Sequence, residues 1–482
     1  MSALSNYIDG QWTESEDGGT RSVSSPSRPD ETRWDIPDST EIDTRSAIAA
    51  AVDAQGEWAS TPATERGRFL VDAADALESR KDDVAEVQAR ETGKTIANAT
   101  SEVGRAIDTL RYYGTIAKDH EGMTRPSRKA DALVYTRPEP LGTVGIVTPW
   151  NYPIAIAAWK IAPALATGNT VVQKPASASA RTNAELFEAF ESVGLPDGVA
   201  NLVIGSGSTV GEALVSNESI DGVSFTGSVD VGERIRDTAT AHGARVQCEM
   251  GGKNPIVVDD TADIDLATNL TIKSAFRNAG QLCVAISRAI VFEDVYEEYL
   301  ASLADAVDDL VVGDPLDSET TVGPKISESS MRSDLEFVEE ARRDGGRCVV
   351  GGERTGDQGW FVEPTVIADV DPDSRLAQEE VFGPVLAVVP VSGFEDAIEI
   401  ANEVRYGLVA SICTNRLDHA KEFVDRADAG MVKVNQTTGF EKQFPFGGWK
   451  DSSTTTYREQ GREAFDFFTK EKTVYVSHFD AE

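Results

Sequence analysis

No apolar run in the 482 residues is long enough to span a bilayer, and Met1-Ser2-Ala3-Leu4-Ser5-Asn6 lacks the basic-then-apolar order of a secretion signal. Neither a membrane partner nor export is expected, and the chain reads as cytoplasmic. Cysteine is scarce. Cys248, Cys283, Cys348 and Cys413 lie far apart with no CxxC pair, which argues against a disulfide framework or a zinc site. The four histidines, His120, His242, His419 and His478, are equally scattered, so no metal is expected. Basic charge is short: 45 Lys and Arg stand against 81 Asp and Glu, net -36, a balance that repels nucleic acid. The dinucleotide fingerprint GxGxxG is missing too. Gly205-Ser206-Gly207-Ser208-Thr209-Val210-Gly211 reads GxGxxxG, which alone fits a plain turn as well as a phosphate loop.

What is present bounds the rest. At 482 residues the chain exceeds one ordinary core and should divide into two or three domains, for which 40% hydrophobic content suffices. The acidic stretches alternate with hydrophobic segments, so they read as solvated faces of folded elements. A carboxylate excess of this size suits a salt-rich cytoplasm, where screening suppresses self-repulsion, and points to a halophilic source.

Short apolar runs bounded by Gly or Pro predict buried strands at 143–147, 169–174, 201–204 and 222–225. Helical patterns at 154–166, 179–193 and 209–215 alternate with them. This βαβ rhythm predicts a parallel sheet covered on both faces, a scaffold that suits a dinucleotide. A second α/β region opens near Gly251, with strands at 255–258 and 289–292 and helices at 264–278, 296–310 and 331–344. Near the end, residues 473–476 alternate without a local hairpin partner, which makes them a candidate for pairing across a subunit contact.

A lone cysteine is more often a small buried hydrophobe than a nucleophile. Cys283 gains meaning from its company. The run Gly280-Gln281-Leu282-Cys283 follows Glu249-Met250-Gly251-Gly252-Lys253-Asn254-Pro255, and both follow Pro149-Trp150-Asn151-Tyr152-Pro153. With Asn6-Tyr7-Ile8-Asp9-Gly10, Glu91-Thr92-Gly93-Lys94, Lys174-Pro175-Ala176-Ser177, Phe225-Thr226-Gly227-Ser228, Glu379-Glu380-Val381-Phe382-Gly383-Pro384 and Pro445-Phe446-Gly447-Gly448, nearly the whole chain resembles the aldehyde dehydrogenase superfamily.

That resemblance implies a fold of three parts. A Rossmann-type cofactor domain would take residues 1–120 and 139–250, an α/β catalytic domain 251–450, and a small β oligomerisation region 121–138 with 465–482. It assigns Cys283 as nucleophile, Asn151 as donor to the developing oxyanion, and Glu249 as the base that directs water at a thioester. Glu249 favours hydrolysis to the acid over transfer to coenzyme A. For the cofactor it implies Trp150, Lys174, Ser177, Gly207, Gly227, Ser228, Gly232, Met250, Glu380 and Phe382. Ser177 stands where relatives that prefer NAD often carry a glutamate, so NADP is expected, with NAD accepted; Ser177 could equally be a helix N-cap. The segment from Ser452 to Glu459 departs from the family's glycine-containing pattern, and a changed turn near a subunit boundary is expected there.

Arg277, six residues before Cys283, stands where many relatives have an aromatic residue. A guanidinium there suits an aldehyde with a distal carboxylate. Tyr152, Trp159, Gln436 and Phe446, with Thr437 and Thr438, complete the expected substrate wall. Within the superfamily the sequence looks most like the 2,5-dioxopentanoate dehydrogenases, with succinate semialdehyde as the rival substrate. A homo-oligomer, dimer or tetramer, is implied.

Overall fold

The computed structural model describes residues 4–437, 439–453 and 457–477. Thr438, His478 and the middle of the Ser452–Glu459 segment lie outside the described residues. Two seven-stranded sheets carry the architecture. The first runs in the order Arg245–Glu249, Gly222–Thr226, Thr143–Thr148, Thr170–Pro175, Ala200–Leu202, Asn6–Ile8, Gln11–Thr13. Its first five strands pair in parallel, and the hairpin formed by the last two closes the edge antiparallel. The chain leaves Thr143–Thr148 toward Thr170–Pro175, then returns to lay Gly222–Thr226 on the other side. Strand order therefore reverses at Thr143–Thr148, and a crevice opens beyond the carboxyl ends of these strands.

The expected strands and helices of this half form with small shifts of boundary. Pro153–Ala166 is buried along its whole length, with Pro153 at the first turn, where a missing N–H costs nothing. The expected helix at 209–215 is instead a wide turn, Gly207–Gly211, running into the short helix Glu212–Val215. Four helices that the periodicity did not announce, Glu41–Ser60, Ala63–Ser79, Lys81–Thr92 and Ile96–Ile116, precede the sheet. Leu70, Leu77, Val103 and Leu110 share one core with Ile154, Ile161 and Leu165.

The second sheet has the order Arg347–Val350, Thr365–Ala368, Val385–Val391, Ile286–Phe292, Asn254–Val258, Val409–Cys413, Met431–Val434, parallel except at its first pair. Helix Ile264–Ala275 stops three residues before the expected end, because Asn278 and Ala279 both take φ of 53° and turn the chain toward Cys283. The tail strand Thr469–Ser477 does find a partner in its own chain. It pairs antiparallel with Ala132–Pro140 over nine residues, which leaves Leu133, Tyr475 and Val476 exposed. No helix among the described residues is long and apolar enough to cross a membrane.

Candidate active site

The carboxyl ends of the first sheet meet the amino ends of the second. Asn151 follows Thr143–Thr148 and Glu249 ends Arg245–Glu249, while Cys283 and Glu380 precede Ile286–Phe292 and Val385–Val391. The Cys283 loop is tightly fixed. At Gly280 (φ 69°) a Cβ would fall 2.1 Å from the Gly383 carbonyl oxygen, so only glycine fits. Asn254 Nδ2 donates to the carbonyls of Cys283 (2.7 Å) and Ala285 (2.8 Å). Asn151, itself buried, donates from Nδ2 to the Gln281 carbonyl at 3.0 Å. An amide NH2 has two hydrogens, so one N–H remains for the cavity that Asn151 and Cys283 both line. Burial, with the carboxylates of Glu380 and Glu249 nearby, pushes the half-buried Cys283 thiol well above the ordinary thiol range.

Glu249 is 2% exposed, and neither of its carboxylate oxygens has a hydrogen-bond partner among the described residues. Such a group favours its neutral form: burial raises its pKa well above the carboxylate range, the neighbouring Glu459 adds to the rise, and Lys160, Arg458 and the nearby Ser453 hydroxyl oppose it. Glu459 is buried as well, and its carboxylate accepts from Lys160 Nζ, which also donates to Ser224 Oγ at 2.9 Å. The sequence reading missed both residues. A lysine inside the otherwise apolar run 154–166 was the available signal. The described ends of the Ser452–Glu459 segment run against the site: Met250 N–H donates to the Ser452 carbonyl, and Ser452 Oγ to the Gly251 carbonyl.

The crevice at the strand-order reversal is lined by Val147, Lys174, Gly207, Gly211, Val231 and Arg234. Among the described residues Lys174 Nζ donates only to the Pro175 carbonyl (2.9 Å), and burial brings its pKa down to about 8. Arg234, also missed, has no carboxylate within reach among the described residues. Ser177 opens the short turn Ser177–Ser179 and caps no helix; Glu91 instead accepts from the Arg181 and Thr182 N–H groups at the start of Ala180–Ser192. Ser228 precedes Val229–Ala241 with its hydroxyl free of the cap, beside a helix N-terminus suited to an anion. Gly227 and Gly232 were expected to admit the cofactor. Within the fold both are closely packed: a Cβ would fall 2.4 Å from the Phe225 ring at the first and 2.4 Å from the Met250 sulfur at the second. Met250 is accordingly buried in the core of that sheet. Glu380 accepts from the Gly252 N–H at 3.0 Å, and burial raises its pKa to about 7. Phe382, at φ 55°, meets Trp150 edge-on at 5.7 Å between centroids, and its carbonyl accepts from Lys325, which is paired with the buried Asp334.

The cavity at Cys283 is mostly apolar. Tyr152, Trp159, Leu282, Phe440 and Phe446 line it, with Trp159 and Phe446 centroids 5.5 Å apart. Its charge is cationic. Arg277 is held by neutral partners, Nη2 donating to Tyr152 OH at 2.9 Å and Nε to Asn98 Oδ1 at 3.0 Å. Arg105, missed in the sequence reading, lines the same cavity with its guanidinium 5.2 Å from the Phe440 centroid, and no carboxylate reaches it among the described residues. Gln436 is exposed and does not line the cavity. Thr437 is turned away, its hydroxyl donating to the Leu270 carbonyl.

The comparisons agree with this geometry. The model of the Aldehyde dehydrogenase family matches residues 12–474. An alpha-ketoglutarate semialdehyde dehydrogenase of Haloferax volcanii is 48% identical over 478 residues, 98% of this chain and 99% of the relative. A 2,5-dioxopentanoate dehydrogenase of Saccharolobus solfataricus is 42% identical over 439 residues, 90% and 92% of the two chains. Among solved structures, a betaine aldehyde dehydrogenase from Staphylococcus aureus in complex with NAD+ superposes with a TM-score of 0.95 at 33% identity, covering 98% of this chain and 94% of that one. Sheets, site and relatives converge: this chain belongs to the aldehyde dehydrogenase family, and it has the fold of that family.

Proposed function

We propose that the protein oxidises a carboxylated semialdehyde, 2,5-dioxopentanoate before succinate semialdehyde, to the free acid with NADP as the preferred cofactor. The observation that carries the reading is one cavity lined by a cysteine thiol, a fixed amide and two guanidinium groups that have no carboxylate partner among the described residues. In this reading the Cys283 thiol gives up its proton to water, its sulfur adds to the aldehyde carbon, and the carbonyl oxygen, now an alkoxide, is held by the Asn151 Nδ2–H and the Cys283 N–H. Bound cofactor supplies the hydride acceptor, and a thioester on Cys283 results. Glu249 takes a proton from water, whose oxygen displaces the sulfur to give the acid and restore the thiol. A neutral Glu249 must lose its proton first, which couples this step to the Lys160–Glu459 pair.

The crevice fits a dinucleotide. Lys174, Arg234 and Ser177 would hold the adenosine end, where a serine in place of a carboxylate removes repulsion against a 2′-phosphate. Ser228 and the start of Val229–Ala241 would take the pyrophosphate, Glu380 the nicotinamide ribose, and Trp150 with Phe382 the ring. The division of the chain follows: 1–120 with 139–250 for cofactor, 251–450 for aldehyde chemistry, and 121–138 with 465–482 for assembly as a homo-oligomer. The names of the Haloferax and Saccharolobus relatives support the substrate, and the net charge of -36 supports work in a salt-rich cytoplasm.

Initial rates on 2,5-dioxopentanoate, succinate semialdehyde, betaine aldehyde and a neutral aldehyde, with each cofactor and with coenzyme A present or absent, test the reading. Higher kcat/KM for the carboxylated pair with NADP, and free acid as product, are expected. Ser177→Glu should turn the preference toward NAD. Preference for betaine aldehyde, or acyl-CoA as main product, would overturn it.

A further inference from the structure

Beneath the Asn151 turn lies a fully buried ion pair that the chemistry above does not use. Lys94 and Glu102 are 1% and 0% exposed. Lys94 Nζ donates to the Glu102 carboxylate and, at 2.7 Å, to the Asn151 main-chain carbonyl, and it stands 4.0 Å from the Tyr152 ring centroid. Glu102 Oε1 accepts from the Ile154 N–H at 3.2 Å and the Ala155 N–H at 3.3 Å. Those are first-turn amides of Pro153–Ala166, whose N-cap residue Tyr152 makes no side-chain cap bond. In a buried helix start, such donors must find a partner elsewhere. Glu102 supplies it from another helix, Ile96–Ile116.

A buried ion pair contributes little net stability compared with apolar groups of the same volume. Its placement here is explained by what it grips. Asn151 is held at two points, its carbonyl by Lys94 and its amide by the Gln281 carbonyl, and the helix start three and four residues on is held by Glu102. We infer that Lys94 and Glu102 are positioning residues that set the Asn151 amide against the reacting carbonyl oxygen. The inference rests on the reading of Asn151 as the oxyanion donor. Neither residue lines the substrate cavity, so neither is a catalytic residue.

A double-mutant cycle with Asn151→Ala separates positioning of that amide from a merely structural role of the ion pair. Lys94→Met/Glu102→Leu removes both charges at once and avoids leaving a lone buried ion. It should lower kcat by about 100-fold, the effect of misplacing a reacting group by about 1 Å. KM for the aldehyde and the affinity for NADPH should stay within twofold, and thermal unfolding should remain cooperative. In the Asn151→Ala background the same change should cost less than twofold more, because the residue it positions is gone. Glu102→Gln keeps an acceptor for Ile154 and Ala155, and the buried Lys94, having lost its counterion, gives up its charge; kcat should stay within about threefold, the scale of one neutral hydrogen bond. If the Met/Leu variant does not fold, Lys94→Met/Glu102→Gln takes its place in the cycle with the same expectation. Additive losses in the Asn151→Ala background, or kcat unchanged in the folded double variant, would overturn the inference while leaving Asn151 as donor. Unchanged kcat in Asn151→Ala alone would overturn the donor reading and this inference with it.

Discussion

Glu249 and Glu459 are two buried carboxylates in one electrostatic compartment, and among the described residues only Glu459 has a cation bonded to it. The unbonded one is the residue proposed to act on water. Burial and the like charge of Glu459 both favour a protonated Glu249, so the acid limb of the rate profile reports how readily it ionises. Glu459→Gln removes the repulsion and leaves Lys160 unopposed. Glu249 then loses its proton at lower pH, and activity should persist further into acid than in the parent. Lys160→Met should move the limb the other way. Profiles of kcat against pH for the three proteins check this, and superimposable acid limbs would contradict it.

In the proposed reading, Arg277 and Arg105, which line the cavity, select the substrate by charge. Each charge-assisted bond to a substrate carboxylate is worth about 1.5–3 kcal/mol, so Arg277→Leu should cut kcat/KM for 2,5-dioxopentanoate by about 10- to 100-fold. Arg105→Leu should act in the same direction. A neutral aldehyde of similar length should change by less than twofold in both. Equal losses on charged and neutral substrates would mean that the arginines only shape the wall.

If Glu380 holds the nicotinamide ribose as proposed, cofactor binding should carry its own pH dependence. Burial raises its carboxyl to about 7, against the Gly252 N–H and Lys253, which pull it down. Ribose hydroxyls are best accepted by the ionised form. Affinity for NADP should therefore rise as pH goes from 6 to 8, and Glu380→Gln should flatten the rise. The sign for stability is opposite. The folded protein holds this proton up to about 7 where the unfolded chain releases it near 4.5, so the group's contribution is complete below 4.5 and is lost as pH climbs through 7. Fluorescence titration with NADPH across that range checks the first expectation, and thermal unfolding checks the second.

How much of this was legible depended on the range of the signal. Strands such as Thr143–Thr148 and Asn254–Val258 were readable because short apolar runs end at Gly or Pro, a purely local cue. Cys283, Asn151 and Glu249 stood out through the motifs around them. Glu459 did not, because it lies about 210 residues beyond Glu249 in a segment without the family's glycines, and only the folded chain places its charge beside that residue. Arg105 was hidden for a related reason: on Ile96–Ile116 a charged residue normally faces solvent, and nothing local says that this one stacks on Phe440. Gln436 erred in the other direction, since proximity in sequence to Phe440 did not bring it into the cavity wall.

The most direct test traps the acyl group. With Glu249→Gln, water lacks its base, so mixing enzyme, NADP and aldehyde should give a burst of up to one NADPH per subunit followed by slow turnover. Mass spectrometry of the acid-quenched protein should then find the acyl group, heavier than the free thiol by the mass of the aldehyde less two hydrogens, on the peptide containing Cys283. A variant that turns over at the parent rate, or a burst with no adduct on Cys283, would contradict the account.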